Sequence, residues 1–157
     1  MKTIIGRIAE QSILSSALAS DEAELIAVFG RRRVGKTYLI REYYNSQIVF
    51  DFSGVHNESL RKQLTNFSNT MAYTLKLPVR VEVPANWTDA FFQLRNFTEP
   101  LIAKKKGVIF LDEFPWLNSP RSGFLQAFEF FWNSWASRQK NLIVVICGSA
   151  ASWMIQN

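Results

Sequence analysis

Apolar residues in this chain fall into two spacings. Leu25-Ile26-Ala27-Val28-Phe29, Ile48-Val49-Phe50-Asp51-Phe52, Val108-Ile109-Phe110-Leu111 and Leu142-Ile143-Val144-Val145-Ile146-Cys147 are short, nearly unbroken apolar runs. Runs of that length predict strands covered on both faces. The segments between them carry apolar residues at helical spacing. Ile8, Ile13, Leu14 and Leu18 form an approximate stripe over 8–19, and further helices are predicted over 36–44, 58–76, 87–103 and 122–137. Asn57 is a candidate cap for the third of these, Leu77-Pro78 ends it, and Pro100 should end or kink the fourth near Glu99. Pro84 to Asn86 reads as a break, and Pro115 and Pro120 bracket a loop. Buried strands alternating with helices predict an α/β fold of three layers, with a mainly parallel sheet in the middle.

Length and composition narrow this without changing it. The 157 residues suit one domain with one core, and 48% are apolar. No apolar run reaches the roughly 18 residues of a membrane span. Met1 to Arg7 lacks the long apolar region of a secretion signal. A soluble, cytoplasmic protein with no membrane partner is expected. The single cysteine, Cys147, fits a reducing compartment and reads as core packing; the single histidine, His56, reads as a loop residue. Part of the net charge of +5 sits in Arg31-Arg32-Arg33 and Lys104-Lys105-Lys106. Such runs are either solvated loop charge or attraction to the phosphates of a nucleotide or of nucleic acid.

Gly30-Arg31-Arg32-Arg33-Val34-Gly35-Lys36-Thr37 matches the phosphate-binding loop pattern in full, directly after a predicted strand and at the head of a predicted helix. Glycines let backbone N–H groups turn toward phosphate oxygens, and the helix start aims its positive end at the same place. Lys36 adds a point charge for the β- and γ-phosphates, and the Thr37 hydroxyl is placed to ligate Mg²⁺. The expected nucleotide-binding set is Gly30 to Thr37 together with Tyr38.

The third apolar run ends in Asp112-Glu113. In a parallel sheet all strands end at the edge that carries the loop, so Asp112 should lie near Thr37 and hold Mg²⁺. Glu113 would reach further and polarise an attacking water as general base. No Asn-Lys-x-Asp segment of the kind that reads guanine is present, which favours ATP. Ser149, at the end of the fourth run, either touches the γ-phosphate or caps a helix from Ala150. Phe124, Phe128, Phe131, Trp132 and Trp135 recur at helical spacing and read as core. Phe130 lies off that stripe, so the helix also offers a surface to a partner.

Three segments together resemble prokaryotic AAA-type ATPases, the archaeal-type ATP-binding proteins near the STAND ATPases. They are Phe29 to Thr37, Leu111-Asp112-Glu113-Phe114-Pro115-Trp116-Leu117 and Cys147-Gly148-Ser149-Ala150-Ala151-Ser152-Trp153-Met154. The resemblance implies a P-loop NTPase core of the ASCE/AAA type over 1–157, hydrolysing ATP with Mg²⁺. It implies that Ile5-Gly6-Arg7 packs beside the adenine, that Ser149 is the sensor position and that Glu113 is the catalytic glutamate. It also implies a fifth strand and a helical lid beyond Asn157. The first strand would then lie at an open edge, inviting a protein partner or self-association, and hydrolysis by this chain alone would be weak. Two other readings remain open: a nucleotide-gated signalling or scaffold module with negligible turnover, and a nucleic-acid-binding module in a longer parent chain.

Overall fold

A computed structural model describes residues 8–30, 35–77 and 81–149. In chain order the strands are β1 (Glu24–Gly30), β2 (Ile48–Ser53), β3 (Gly107–Asp112) and β4 (Leu142–Ser149). The helices are α1 (Ile8–Ala19), α2 (Lys36–Tyr43), α3 (Leu60–Thr74), α4 (Trp87–Thr98), α5 (Phe114–Leu117) and α6 (Phe124–Ser134). The strands form one parallel sheet in the order β1-β4-β3-β2. Register pairs Gly30 with Ser149 and Ser53 with Asp112, so the C-terminal strand ends share one rim.

The third and fourth apolar runs make buried strands because both faces of the sheet are covered there, whereas β1, expected to be covered likewise, lies at the edge with Leu25 and Phe29 exposed. All six residues of β3 are buried, and alternation splits them. Ile109 and Leu111 join Leu142 and Val144 on one side; Val108 and Phe110 join Ile143, Val145 and Cys147 on the other. The first side is closed by α3, α4, α5 and α6, whose rings interlock. Phe67 meets Phe50 at 5.1 Å between centroids, and Phe124 meets Trp87 and Phe114 at 5.0 Å each. The other side is covered by α1 and α2 through Leu14, Ala17, Leu39, Ile40 and Tyr44. The Tyr44 hydroxyl donates to the Leu14 carbonyl at 2.7 Å, and burial raises its pKa.

Phe124, Phe128, Phe131 and Trp135 are buried, as their spacing predicts, while Phe130 is 58% exposed. Helix ends differ from the sequence reading where a residue takes left-handed backbone. Asn57 does so (φ 60°), and the cap of α3 is instead Ser59, whose hydroxyl accepts from the Lys62 N–H at 3.1 Å. Gly123 (φ 70°) sets the start of α6 at Phe124 rather than 122, and its last turn gives way to a 3₁₀ turn over Ala136–Arg138. The α-helix from Trp87 ends at Thr98, and Pro100 lies within a 3₁₀ turn over Glu99–Ile102. The predicted loop between Pro115 and Pro120 contains α5, a four-residue helix. Pro115 is compatible with it because first-turn residues need no N–H donor.

Among the described residues β1 pairs on one side only, with β4, leaving it at the sheet edge as expected. The lysine run divides. Lys104 and Lys105 are exposed, whereas the Lys106 ammonium donates to the carbonyls of Glu22 and Lys140 and ties the starts of β1 and β4 together. No helix among the described residues is long and apolar enough to cross a membrane.

Candidate functional site

The rim gathers four side chains that the sequence spreads over two motifs. Gly35 holds left-handed backbone (φ 78°), open to glycine without strain, and turns the chain into α2. Lys36 and Thr37 follow in the first turn, with Lys36 buried. The Thr37 hydroxyl donates to Oδ2 of Asp112 at 3.0 Å. Oδ1 of Asp112 accepts the Glu113 N–H at 2.9 Å, so both carboxylate oxygens are fixed. Glu113 itself sits at φ 49°, ψ 41°, a left-handed position that costs an ordinary residue roughly 1–3 kcal/mol. Its Oε2 is buried with no hydrogen-bond partner among the described residues. An orphaned buried oxygen on a strained residue is a common mark of a functional site.

The loop after β2 is fastened to this rim. The Gly54 N–H donates to the Asp112 carbonyl at 3.0 Å. A β-carbon on Gly54 would lie 2.7 Å from the Glu113 carbonyl oxygen, so only glycine allows the approach. Lys36, Thr37, Gly54, Val55, His56, Glu113 and Trp116 line a cleft of about 450 Å³. That volume is within the usual range for small-molecule sites.

Several contributors carry no motif. Arg41, one turn after Thr37 on α2, grips Asp51 through two hydrogen bonds of 2.8 and 3.0 Å. Its guanidinium also reaches within 3.9 Å of Asp112 Oδ2 and lies over the Phe110 ring. The hydrogen bond to Asp51 raises the Arg41 pKa against the opposing effect of burial, with the charges of Asp51 and Asp112 adding to it. The i, i+4 spacing of Thr37 and Arg41, and an aspartate inside an apolar strand, are the signals that point to this pair. Gln63, buried on α3, bonds both backbone groups of Val55 and the Trp116 carbonyl. Cys147 is core, as expected; burial, with the charge of Asp112 adding to it, pushes its thiol up to about 12.

Two oxygen donors, Thr37 Oγ1 and Asp112 Oδ2, fit a hard divalent cation. Among the described residues no three His, Cys, Asp or Glu side chains converge on a metal position. The donor set therefore suits Mg²⁺ held largely by water and substrate phosphates, and not a cation caged by protein alone.

Of the residues singled out in the sequence, Gly35, Lys36, Thr37, Asp112 and Glu113 meet at the rim. Ser149 is buried at the end of β4 beside Gly30, and neither it nor Tyr38, which is 55% exposed, lines the cleft. Ile5, Gly6, Arg7, Arg31, Arg32, Arg33 and Val34 lie outside the described residues.

A family model described as an ATPase domain predominantly from Archaea matches residues 5–157. No relative matches among curated proteins. Solved structures that share the fold include the following two. The Walker-type ATPase PABY2304 of Pyrococcus abyssi is 20% identical with a TM-score of 0.59, over 92% of this chain and 45% of that one. The ORC2 protein of Aeropyrum pernix, solved as ADPNP-ADP complexes, is 16% identical with a TM-score of 0.65, over 98% of this chain and 43% of that one. The chain spans less than half the length of either.

Proposed function

The chain belongs to the ATPase-domain family found predominantly in Archaea, and from that premise we propose that the rim cleft binds ATP with Mg²⁺ and hydrolyses it to ADP and phosphate. The observation that carries the reading is the 3.0 Å contact between Thr37 and Asp112 beside the unpartnered Glu113 oxygen. The full P-loop pattern from Gly30 to Thr37, and a structural neighbour solved with ADPNP and ADP, support the choice of nucleotide.

In this reading the start of α2 and the Lys36 ammonium hold the β- and γ-phosphates. Thr37 and Asp112 hold Mg²⁺, which when bound neutralises charge on the phosphate oxygens. Glu113 orients a water in line with the γ-phosphorus and accepts its proton as the new P–O bond forms. The bond to the β–γ bridging oxygen breaks, and its electron pair leaves with ADP. Lys36 offsets the charge that develops on that oxygen. Arg41, held by Asp51, keeps positive charge near Asp112. Ser149, buried at the end of β4, is the sensor position behind the rim, and the loop residues Arg31 to Val34 with Ile5, Gly6 and Arg7 complete the nucleotide contacts. The cytoplasm supplies both ATP and Mg²⁺, and the open edge of β1 is the surface for a protein partner or a second copy.

Phosphate release tests this directly. Glu113→Gln should lower the hydrolysis rate about 100-fold or more while leaving Mg-ATP affinity within a few-fold. Hydrolysis by the variant at the wild-type rate would remove Glu113 from the chemistry, and hydrolysis undetectable in both would remove the enzymatic reading.

A further inference from the structure

His56 is a cleft residue, not a bystander in its loop. Its ring packs 4.0 Å from the Trp116 ring, with the planes tilted by 34°. Both rings line the cleft that Lys36, Thr37 and Glu113 share. His56 is exposed, and one of its ring nitrogens carries a proton free to donate into the cleft.

The backbone under this pair is tied down by hydrogen bonds from a buried side chain. Gln63 is fully buried and donates to the Val55 carbonyl at 2.8 Å and to the Trp116 carbonyl at 3.2 Å. Its Oε1 accepts the Val55 N–H at 3.2 Å. One amide thus fastens the residue before His56 to the residue His56 stacks on. Gly54 is fastened in turn to the Asp112 carbonyl. The backbone before His56 is thereby tied to the rim that carries Asp112 and Glu113, and the exposed His56 ring rests on Trp116.

We propose that His56 distinguishes triphosphate from diphosphate by donating a hydrogen bond from its ring N–H to the terminal phosphate. The inference rests on the Mg-ATP reading of the same cleft. Lys36 and Thr37 mark the end where β- and γ-phosphates are gripped, and Glu113 marks the reacting end. A donor that shares the cleft with Glu113 meets the γ-phosphate and loses its partner when that phosphate leaves. Hydrogen bonds to a charged acceptor are the strong kind, and a preplaced donor gives up little freedom in making one.

Calorimetry with Mg-ATP and Mg-ADP on the wild-type chain, His56→Phe and His56→Gln tests it. Phenylalanine keeps the ring stack and removes the donor; glutamine returns an N–H near the same place. The expected result is a loss of about tenfold in Mg-ATP affinity for His56→Phe, unchanged Mg-ADP affinity, and recovery of most of the ATP preference in His56→Gln. A wild-type ATP-to-ADP ratio in His56→Phe would overturn the assignment while leaving the Mg-ATP reading intact. Absence of any nucleotide binding by the wild type would remove both.

Discussion

On one face of the sheet, α3, α4, α5 and α6 press Phe50, Phe52, Phe67, Trp87, Phe91, Phe114, Phe124, Phe128, Phe131 and Trp135 into a continuous cluster of rings. On the other, α1 and α2 lay a thinner, mostly aliphatic cover of Leu14, Ala17, Leu39, Ile40 and Tyr44. The cleft draws on both. Asp112, Glu113, Trp116 and the His56 loop stand on elements seated against the rings, while Lys36, Thr37 and Arg41 ride on α2 over the aliphatic side. The contrast suggests a division of labour. Interlocked rings bury large areas and hold a strained Glu113 in place; the lighter packing under α2 supports the groups that grip phosphate.

Truncation on each face puts the contrast to the test. Phe124→Ala should cost about 3–5 kcal/mol of stability, because four neighbouring rings lose contact and cannot collapse into the space. Leu39→Ala should cost nearer 2–3 kcal/mol, toward the low end of the range for such changes. Denaturant titration of the two variants checks both values, and equal losses would erase the distinction between the faces.

A smaller effect sharpens the description of the aliphatic side. Burial holds the Cys147 thiol near 12, whereas its unperturbed value is 9.0. Below pH 9.0 both states keep the proton and the contribution to stability is intact; above it only the unfolded thiol ionises, so stability falls as pH rises toward 12. Between pH 8 and 9.5 this group should remove somewhat under about 1 kcal/mol. The drop is read by urea melts at the two pH values and should be missing from Cys147→Ala. An identical drop in that variant would mean that the thiol is not shielded as described.

Much of this architecture was legible before the structure. The four apolar runs became strands, covered on both faces in β3 and β4 and partly exposed at the β1 edge, and a parallel sheet then obliges Asp112 to end near Thr37. Helix limits were less legible, since Asn57, Ser59 and Gly123 set them through backbone angles that composition does not reveal. The supports of the cleft were least legible. Gln63 and Trp116 are 53 positions apart, and Arg41 and Asp51 belong to different elements. Their pairing depends on three-dimensional placement; the local hints are a glutamine on an apolar helix face, an aspartate inside an apolar strand and the i, i+4 spacing of Thr37 and Arg41. His56 reads as an ordinary loop residue until the Trp116 ring is placed beneath it.

Calorimetric titration of Mg-ATP into the wild-type chain and into Lys36→Ala bears most directly on the claim that this rim is a nucleotide site. The account predicts saturable one-to-one binding by the wild type and a loss of affinity of at least about 100-fold in the variant, as expected when a buried charged contact to phosphate is removed. A wild-type chain that takes up no Mg-ATP, or a Lys36→Ala chain that binds it as tightly, would contradict the account.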